Sequence, residues 1–149
     1  MTSHIFILNG PNLDRLGTRE PHIYGHDTLA SIEERCTKRA SELNVRLTFR
    51  QTNFEGEMVE SIHDAIDNAL GLIINPAGFS FLSVPVSDAL KMFVGPKIEL
   101  HITNIYARAD ITRDSMMSGA VTGVVAGLGA DGYVHALDWM SNAVTKATT

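Results

Sequence analysis

The amino-acid sequence predicts an α/β fold built on one doubly wound parallel sheet, and three observations lead to it. Short apolar runs alternate along the chain with segments in which apolar residues recur every three to four positions. Strands that alternate with helices form parallel sheets covered on both faces. The 149 residues contain no internal repeat or linker, so residues 1–149 are predicted to form a single domain.

The first three elements follow from local patterns. Residues 4–8 form an apolar run that ends before Pro11, which cannot continue a strand. A helix with one buried stripe follows, and Asp27 is its predicted N-cap. The stripe consists of Leu29, Ile32, Cys36, Ala40 and Leu43. Residues 45–50 alternate between apolar and polar side chains and are predicted as the second strand.

The rest of the chain continues the alternation. Residues 72–74 are predicted as the third strand, and Pro85 marks the first turn of a helix that runs to about Phe93. Residues 97–101 and 121–126 are the predicted fourth and fifth strands. The second and last helices are marked by apolar stripes, namely Met58, Ile62, Ile66 and Ala69, and Tyr133, Ala136, Leu137, Met140 and Val144.

The expected arrangement of these elements is a flavodoxin-like five-stranded parallel sheet with right-handed crossovers. In such sheets ligands bind beyond the carboxyl ends of the strands. The unusual polar, glycine-rich and proline-rich segments follow four of the predicted strands, at residues 9–25, 52–55, 75–83 and 101–113. The sequence therefore predicts a ligand site at this edge of the sheet.

The composition limits the possible partners. A formal net charge of −5 argues against a nucleic-acid binder, which needs a basic face, but a few arginines in one cleft still suit a small anionic substrate. No apolar stretch is long enough to span a membrane, and the first residues do not resemble a signal peptide. We therefore expect no membrane association and a cytoplasmic location. The single cysteine, Cys36, is expected to be a buried core thiol.

Two patterns suggest a cofactor or a metal ion but lack the necessary context. Gly127, Gly129 and Gly132 fit the dinucleotide-binding spacing, yet too little chain follows for the strand that would carry the ribose-binding acid. We expect a tight strand-to-helix turn there instead. His22 and His26 have a spacing that suits a metal ion on a helix, but proline and glycine indicate a loop. We therefore expect no cofactor and no metal.

Two pairs of residues carry possible acid–base chemistry. Glu99 and His101 lie two apart on a strand and therefore project from the same face, so the carboxylate can orient the imidazole. The competing interpretation is a structural ion pair at a strand end. Arg19 and Tyr24 lie in one loop, and a cationic neighbour would favour the phenolate that a tyrosine base requires. Alternatively, Tyr24 is a loop anchor and Arg19 a solvated charge.

These residues belong to a longer series of short motifs in a fixed order. The motifs are at residues 9–13, 16–17, 19–21, 24–25, 52–56, 74–76, 83, 88–90, 99–104, 108 and 127–133. With them the sequence resembles the type II 3-dehydroquinate dehydratases from about Ile5 to Leu137. The resemblance implies a single catalytic domain that eliminates water from a cyclic β-hydroxyketone acid without metal or cofactor.

The resemblance also implies roles for individual residues. Tyr24 would remove a proton next to the ketone, and Arg19 and Arg108 would keep Tyr24 ionised. Asn12 would position a water that stabilises the enolate. His101, oriented by Glu99, would protonate the departing hydroxyl.

A further set of residues would hold the substrate and assemble the oligomer. Asn75 and the backbone N–H groups of Ile102 and Thr103 would bind the substrate around its carboxylate and tertiary hydroxyl. The family also suggests homotrimers assembled into a dodecamer, with Asp88 reaching a neighbouring subunit's site. Residues 16–25 would form a lid over the substrate.

The sequence departs from the family pattern at two positions. Phe81 stands where the family usually has a histidine, and Thr112 where it usually has an arginine. Both positions are associated with ring hydroxyls far from the reacting bond. Arg113, one residue after Thr112, is the candidate to take the place of the missing arginine and bind the substrate. One hypothesis is therefore a dehydratase of a related cyclic hydroxyketo acid. Two more hypotheses are a catalytically silent binding protein on this fold and a flavodoxin-like nucleotide or flavin carrier.

Overall fold

The computed structural model describes residues 2–18 and 20–148, except for the side chains of Tyr24, Ala147 and Thr148. Its strands are β1 (His4–Asn9), β2 (Arg46–Gln51), β3 (Gly71–Asn75), β4 (Lys97–His101) and β5 (Gly123–Ala126). Its helices are α1 (Pro21–Tyr24), α2 (Leu29–Glu42), α3 (Glu55–Asn68), α4 (Phe79–Leu82), α5 (Val84–Met92) and α6 (Asp131–Thr148). Four short 3-10 turns are Leu13–Arg15, Ile105–Ala107, Ile111–Arg113 and Ser118–Ala120.

The five strands form one parallel sheet in the order β2-β1-β3-β4-β5. This is the strand order of the flavodoxin-like doubly wound fold, and it confirms the predicted fold class. The register pairs Asn9 with Asn75, so the ends of the two central strands lie side by side. The chain reverses its winding direction at this point of the sheet, where α/β proteins bind ligands.

Each face of the sheet packs against its own pair of helices. On one face, Ile5, Ile7 and Ile73 pack with the buried residues of α2 and α6. On the other face, Phe6 and Leu72 pack with those of α3 and α5. Successive residues of β1 and β3 alternate between these two cores, which is why both central strands are apolar between their first residues and their terminal asparagines. Among the described residues no helix is both long and apolar enough to cross a membrane.

Three details differ from the prediction. The N-cap of α2 is Thr28 rather than Asp27, because the Thr28 hydroxyl accepts the backbone N–H of Ser31 in a capping box. Strand β5 begins at Gly123 rather than at Val121, since the ladder to β4 begins with the Ile98–Gly123 pair. Helices α1 and α4 were not predicted, and a loop was expected around His22, because four residues are too few to show helical periodicity.

Two glycines shape the carboxyl edge of the sheet. A Cβ at Gly10 would lie 2.3 Å from the carbonyl oxygen of Pro76, so only glycine allows the segments after β1 and β3 to approach this closely. Gly127 has a φ of 89° and begins the turn from β5 into α6, as predicted for this glycine-rich segment. The backbone N–H of Gly129 donates to the Ile102 carbonyl at 3.0 Å, which ties this turn to the end of β4.

Candidate active site

A cavity of about 280 Å³ lies at the carboxyl edge of the sheet. Three segments form its walls: the connection after β1, the segment after β3 that contains α4, and the connection after β4. The lining residues are Pro11, Asn12, Leu13, Leu16, Asn75, Ala77, Gly78, Phe81, His101, Ile102, Thr103, Ile105, Arg108 and Thr112. The structure therefore brings eight of the predicted site residues to one cavity.

Glu99 and His101 are hydrogen-bonded as their spacing on β4 predicts. The His101 Nε2–H donates to Glu99 Oε2 at 2.5 Å, and both side chains are buried. His101 lines the cavity, whereas Glu99 lies behind it. This geometry leaves the Nδ1 edge of the imidazole as the part that can exchange a proton with a ligand.

Three further side chains support the carboxylate. The Ser115 hydroxyl donates to Glu99 Oε2 and the Ser118 hydroxyl to Glu99 Oε1, each at 2.5 Å. The Tyr106 hydroxyl is bonded in turn to the Ser118 hydroxyl. None of the three was predicted, because two serines and a tyrosine in a connecting segment carry no periodic pattern that would link them to β4.

The hydrogen bonds determine the ionisation of Glu99. Burial opposes the charge, but the donors from His101, Ser115 and Ser118 outweigh it and hold the pKa of Glu99 below its ordinary value. These donors form stronger hydrogen bonds to the charged carboxylate than to the neutral acid. Glu99 is therefore an anion at neutral pH, and it fixes the tautomer and the orientation of His101.

The lowered pKa of Glu99 predicts how stability depends on pH. The folded state binds the Glu99 proton more weakly than the unfolded state does. Its contribution is thus complete above the unfolded pKa, about 4.3, and is lost as pH falls through the lower folded pKa. We expect the difference in free energy of unfolding between the wild type and Glu99→Gln to be constant from pH 7 to about pH 5 and to shrink below that. Urea unfolding at several pH values measures it, and a difference that grows on acidification would contradict the assignment.

Asn75 lies at the end of β3 and is 3% exposed. Its amide nitrogen donates to the Tyr133 hydroxyl at 2.9 Å, and its oxygen accepts the backbone N–H of Ala77 at 3.2 Å. Tyr133 was predicted only as a core residue of the last helix, and its hydroxyl contact could not be inferred from a position 58 residues away.

Arg108 places a guanidinium group in the cavity wall. It donates to the Thr103 hydroxyl at 2.9 Å and to the Thr112 carbonyl at 3.3 Å. Among the residues that the structure describes, no carboxylate forms an ion pair with Arg108. The positive charge is therefore available to an anionic group in the cavity.

The connection after β1 contributes Asn12. This residue has a φ of 70°, a left-handed conformation that asparagine tolerates better than most residues, and its backbone N–H donates to the Asn53 side chain at 2.9 Å. Asn12 is thereby held against the cavity. Arg19 and the side chain of Tyr24 lie outside the described residues, so their predicted roles, and the predicted lid, stay predictions.

Two predicted substrate-binding residues, Arg113 and Asp88, lie away from the cavity. Arg113 is exposed and does not line the cavity, whereas Phe81 and Thr112 do, so a substrate contact of Arg113 stays a prediction. Asp88 is exposed on α5 and is not a lining residue. Within residues 2–18 and 20–148, no group of three or more histidine, cysteine and acidic residues could hold a metal ion.

Comparison with known proteins identifies the family. The family described as dehydroquinase class II matches residues 3–141. The chain is 51% identical over 140 residues to the 3-dehydroquinate dehydratase of Bartonella henselae, covering 94% of this chain and 95% of that protein. It is 45% identical over 147 residues to the 3-dehydroquinate dehydratase of Rhizobium meliloti, covering 99% of each.

Solved structures agree with this result. The type II dehydroquinase of Propionibacterium acnes superposes with a TM-score of 0.91 at 44% identity, covering 95% of this chain and 98% of that one. A 3-dehydroquinate dehydratase-like protein from Bifidobacterium longum gives a TM-score of 0.74 at 28% identity, covering 97% and 99%. The chain therefore belongs to the class II dehydroquinase family of hydro-lyases.

Proposed function

We propose that the protein converts 3-dehydroquinate to 3-dehydroshikimate by a trans elimination of water through an enolate. The observation that carries the proposal is the buried Glu99–His101 pair, which presents an oriented imidazole to a cavity of about 280 Å³. Asn75 and the guanidinium of Arg108 line the same cavity and suit a small, anionic, hydroxylated ring.

The proposed reaction requires one base and one acid. The Tyr24 phenolate takes a proton from the carbon next to the ketone, and the electron pair moves onto the ketone oxygen to give the enolate. When the ketone re-forms, the hydroxyl leaves and takes a proton from His101, so that water and a conjugated enone result. Glu99 offsets the charge of the protonated imidazole before transfer.

The remaining site residues hold the substrate and stabilise charge. Asn12 would position a water at the enolate oxygen. Asn75 and the backbone N–H groups of Ile102 and Thr103 would bind the carboxylate and the tertiary hydroxyl. Arg19 and Arg108 would favour the phenolate form of Tyr24.

A steady-state assay on 3-dehydroquinate tests the proposal. We expect turnover at ordinary enzyme efficiency, with kcat/KM of about 10⁴ M⁻¹s⁻¹ or more. The formation of the conjugated enone is followed by its ultraviolet absorbance. No turnover of 3-dehydroquinate or of any analogue would exclude this enzymatic function and favour a binding protein on the same fold.

A second candidate function is supported by the apolar wall at Phe81. Its ring stands in the cavity wall, where a hydroxyl of the substrate would find no hydrogen-bond partner. Thr112, in the same wall, offers a shorter side chain than arginine. A cyclic hydroxyketo acid with fewer or rearranged hydroxyls would fit this wall better, and efficient turnover of 3-dehydroquinate would exclude such a substrate.

Phe81→His separates the two candidate substrates. If 3-dehydroquinate is the substrate, the new imidazole is expected to gain a bond to a ring hydroxyl and to lower KM by about tenfold. Val94→His is the matched control, because Val94 is 99% exposed and does not line the cavity. If Phe81→His instead raises KM for 3-dehydroquinate, the apolar wall is itself part of the recognition.

We also propose that the protein is a homo-oligomer of trimers, arranged as a dodecamer, with Asp88 facing a neighbouring subunit. Exposed apolar side chains support a subunit contact near the start of α5. Leu82, Val84 and Phe54 are 79%, 54% and 66% exposed, and the bond from Ser83 to Glu55 brings α3 and α5 together there. Analytical ultracentrifugation measures the assembly, and a monomer at micromolar concentration would contradict it.

A further inference from the structure

A continuous series of hydrogen bonds crosses the floor of the cavity beneath Asn75. The Asn9 amide nitrogen donates to the Arg50 carbonyl at 3.0 Å, and the Tyr133 hydroxyl donates to the Asn9 side-chain oxygen at 2.7 Å. The Asn75 amide nitrogen donates to the Tyr133 oxygen at 2.9 Å, and the backbone N–H of Ala77 donates to the Asn75 oxygen at 3.2 Å. The series joins the ends of β2, β1, α6 and β3.

The direction of every bond in this series is fixed by backbone groups at its two ends. A carbonyl oxygen can only accept, so the Arg50 carbonyl requires the nitrogen of Asn9 and leaves the Asn9 oxygen to face Tyr133. A backbone N–H can only donate, so Ala77 requires the oxygen of Asn75 and leaves its nitrogen to face Tyr133. The Tyr133 hydroxyl satisfies both neighbours at once, because its proton is donated to Asn9 and its oxygen accepts from Asn75.

Burial prevents water from replacing these bonds. Asn9 and Tyr133 are 0% exposed, and Asn75 is 3% exposed. Burial also raises the pKa of the Tyr133 phenol, which therefore keeps its proton at neutral pH. A reversed Asn75 amide would set its nitrogen against the Ala77 N–H and leave a buried donor unpaired.

We infer that Tyr133 is a positioning residue that fixes the amide orientation of Asn75, so that Asn75 offers the cavity an N–H donor. The amide has two N–H bonds, and one of them is bonded to Tyr133. The second has no partner among the described residues, and Asn75 lines the cavity. This part of the site therefore selects a ligand oxygen that accepts a hydrogen bond, such as a carboxylate oxygen, and disfavours a group that can only donate.

A double-mutant cycle tests whether Tyr133 acts through Asn75, and its kinetic arm rests on the proposed function. Tyr133→Phe removes the hydroxyl but keeps the ring, and we expect KM for 3-dehydroquinate to rise about tenfold with a much smaller change in kcat. In an Asn75→Ala background the same substitution is expected to change KM by less than about twofold. If the two effects on KM multiply instead, Tyr133 acts independently of Asn75 and the inference is wrong.

Two further variants separate positioning from a general loss of structure. Asn9→Leu removes the acceptor of the Tyr133 proton while keeping the tyrosine, and it is expected to raise KM as Tyr133→Phe does, even if Tyr133→Phe does not fold. Ser87→Ala is the matched control, since it removes a buried hydroxyl that does not line the cavity, and KM is expected to stay unchanged. An unchanged KM in folded Asn9→Leu would count against the inference.

A measurement without substrate tests the positioning role of Tyr133 separately from the proposed dehydratase activity. In the ligand-free wild type, the Asn75 side-chain amide proton that is bonded to Tyr133 is expected to exchange slowly with solvent in NMR spectra, because the bond is buried. Folded Tyr133→Phe is expected to show faster exchange at this amide. Unchanged exchange would overturn the inference, and absence of 3-dehydroquinate turnover by the wild type would overturn the proposed function alone.

Discussion

Replacing His101 with alanine is expected to lower kcat by about 10²–10⁴-fold while KM changes little. Among the described residues, this imidazole is the basic group that both lines the cavity and is bonded to a buried carboxylate. Its loss removes the acid that protonates the leaving hydroxyl, whereas the proposed binding groups of Asn75 and Arg108 are kept. The rate of enone formation under saturating substrate measures the effect.

A matched histidine variant and a rescue experiment test whether the loss of rate comes from the missing imidazole of His101. His135 is exposed on α6 and does not line the cavity, so His135→Ala is expected to keep the wild-type rate. Added imidazole is expected to restore part of the activity of His101→Ala, because it can enter the space left by the side chain. A loss of less than about tenfold in His101→Ala would remove this residue from the acid role.

Replacing Tyr24 with phenylalanine is expected to reduce kcat by about 10²–10⁴-fold and to leave substrate affinity within a few-fold of the wild type. The substitution deletes only the hydroxyl that would take the proton next to the ketone. Because turnover would then be slow, isothermal titration calorimetry can measure the dissociation constant of 3-dehydroquinate directly. Retained binding with lost rate is the result expected of an enzyme.

A second tyrosine hydroxyl near the site provides the comparison for Tyr24. Tyr106 does not line the cavity and touches Glu99 only through Ser118, so Tyr106→Phe is expected to cost less than about tenfold in kcat. Full activity in Tyr24→Phe would assign the base to another group. A protein that binds but shows no rate in either form would instead be a binding protein.

Much of the fold and part of the site could be predicted because their signals are local. Glu99 and His101 are two residues apart, and the strand geometry alone places them on one face. The segments that line the cavity were predicted from their position after the strands, since parallel strands bring their carboxyl ends to one edge.

The remainder of the site depends on contacts between distant parts of the chain. Ser115 and Ser118 are ordinary polar residues in a connection, and only the folded structure brings them to Glu99. Tyr133 fits an apolar helix stripe as well as a polar contact, and its partner Asn9 is 124 residues away. No local periodicity carries information about such pairs.

The connection between β4 and β5 contributes residues both to the cavity wall and to the hydrogen bonds that hold Glu99. Arg108 and Thr112 form the cavity wall, and Ser115 and Ser118, a few positions later, hold the carboxylate behind His101. A change in this connection that reshapes the wall can therefore also shift the proton donor. An exchange of substrate preference between relatives should therefore succeed when residues 102–122 are transplanted as one unit together with position 81. It should fail when the wall residues are moved without Ser115 and Ser118.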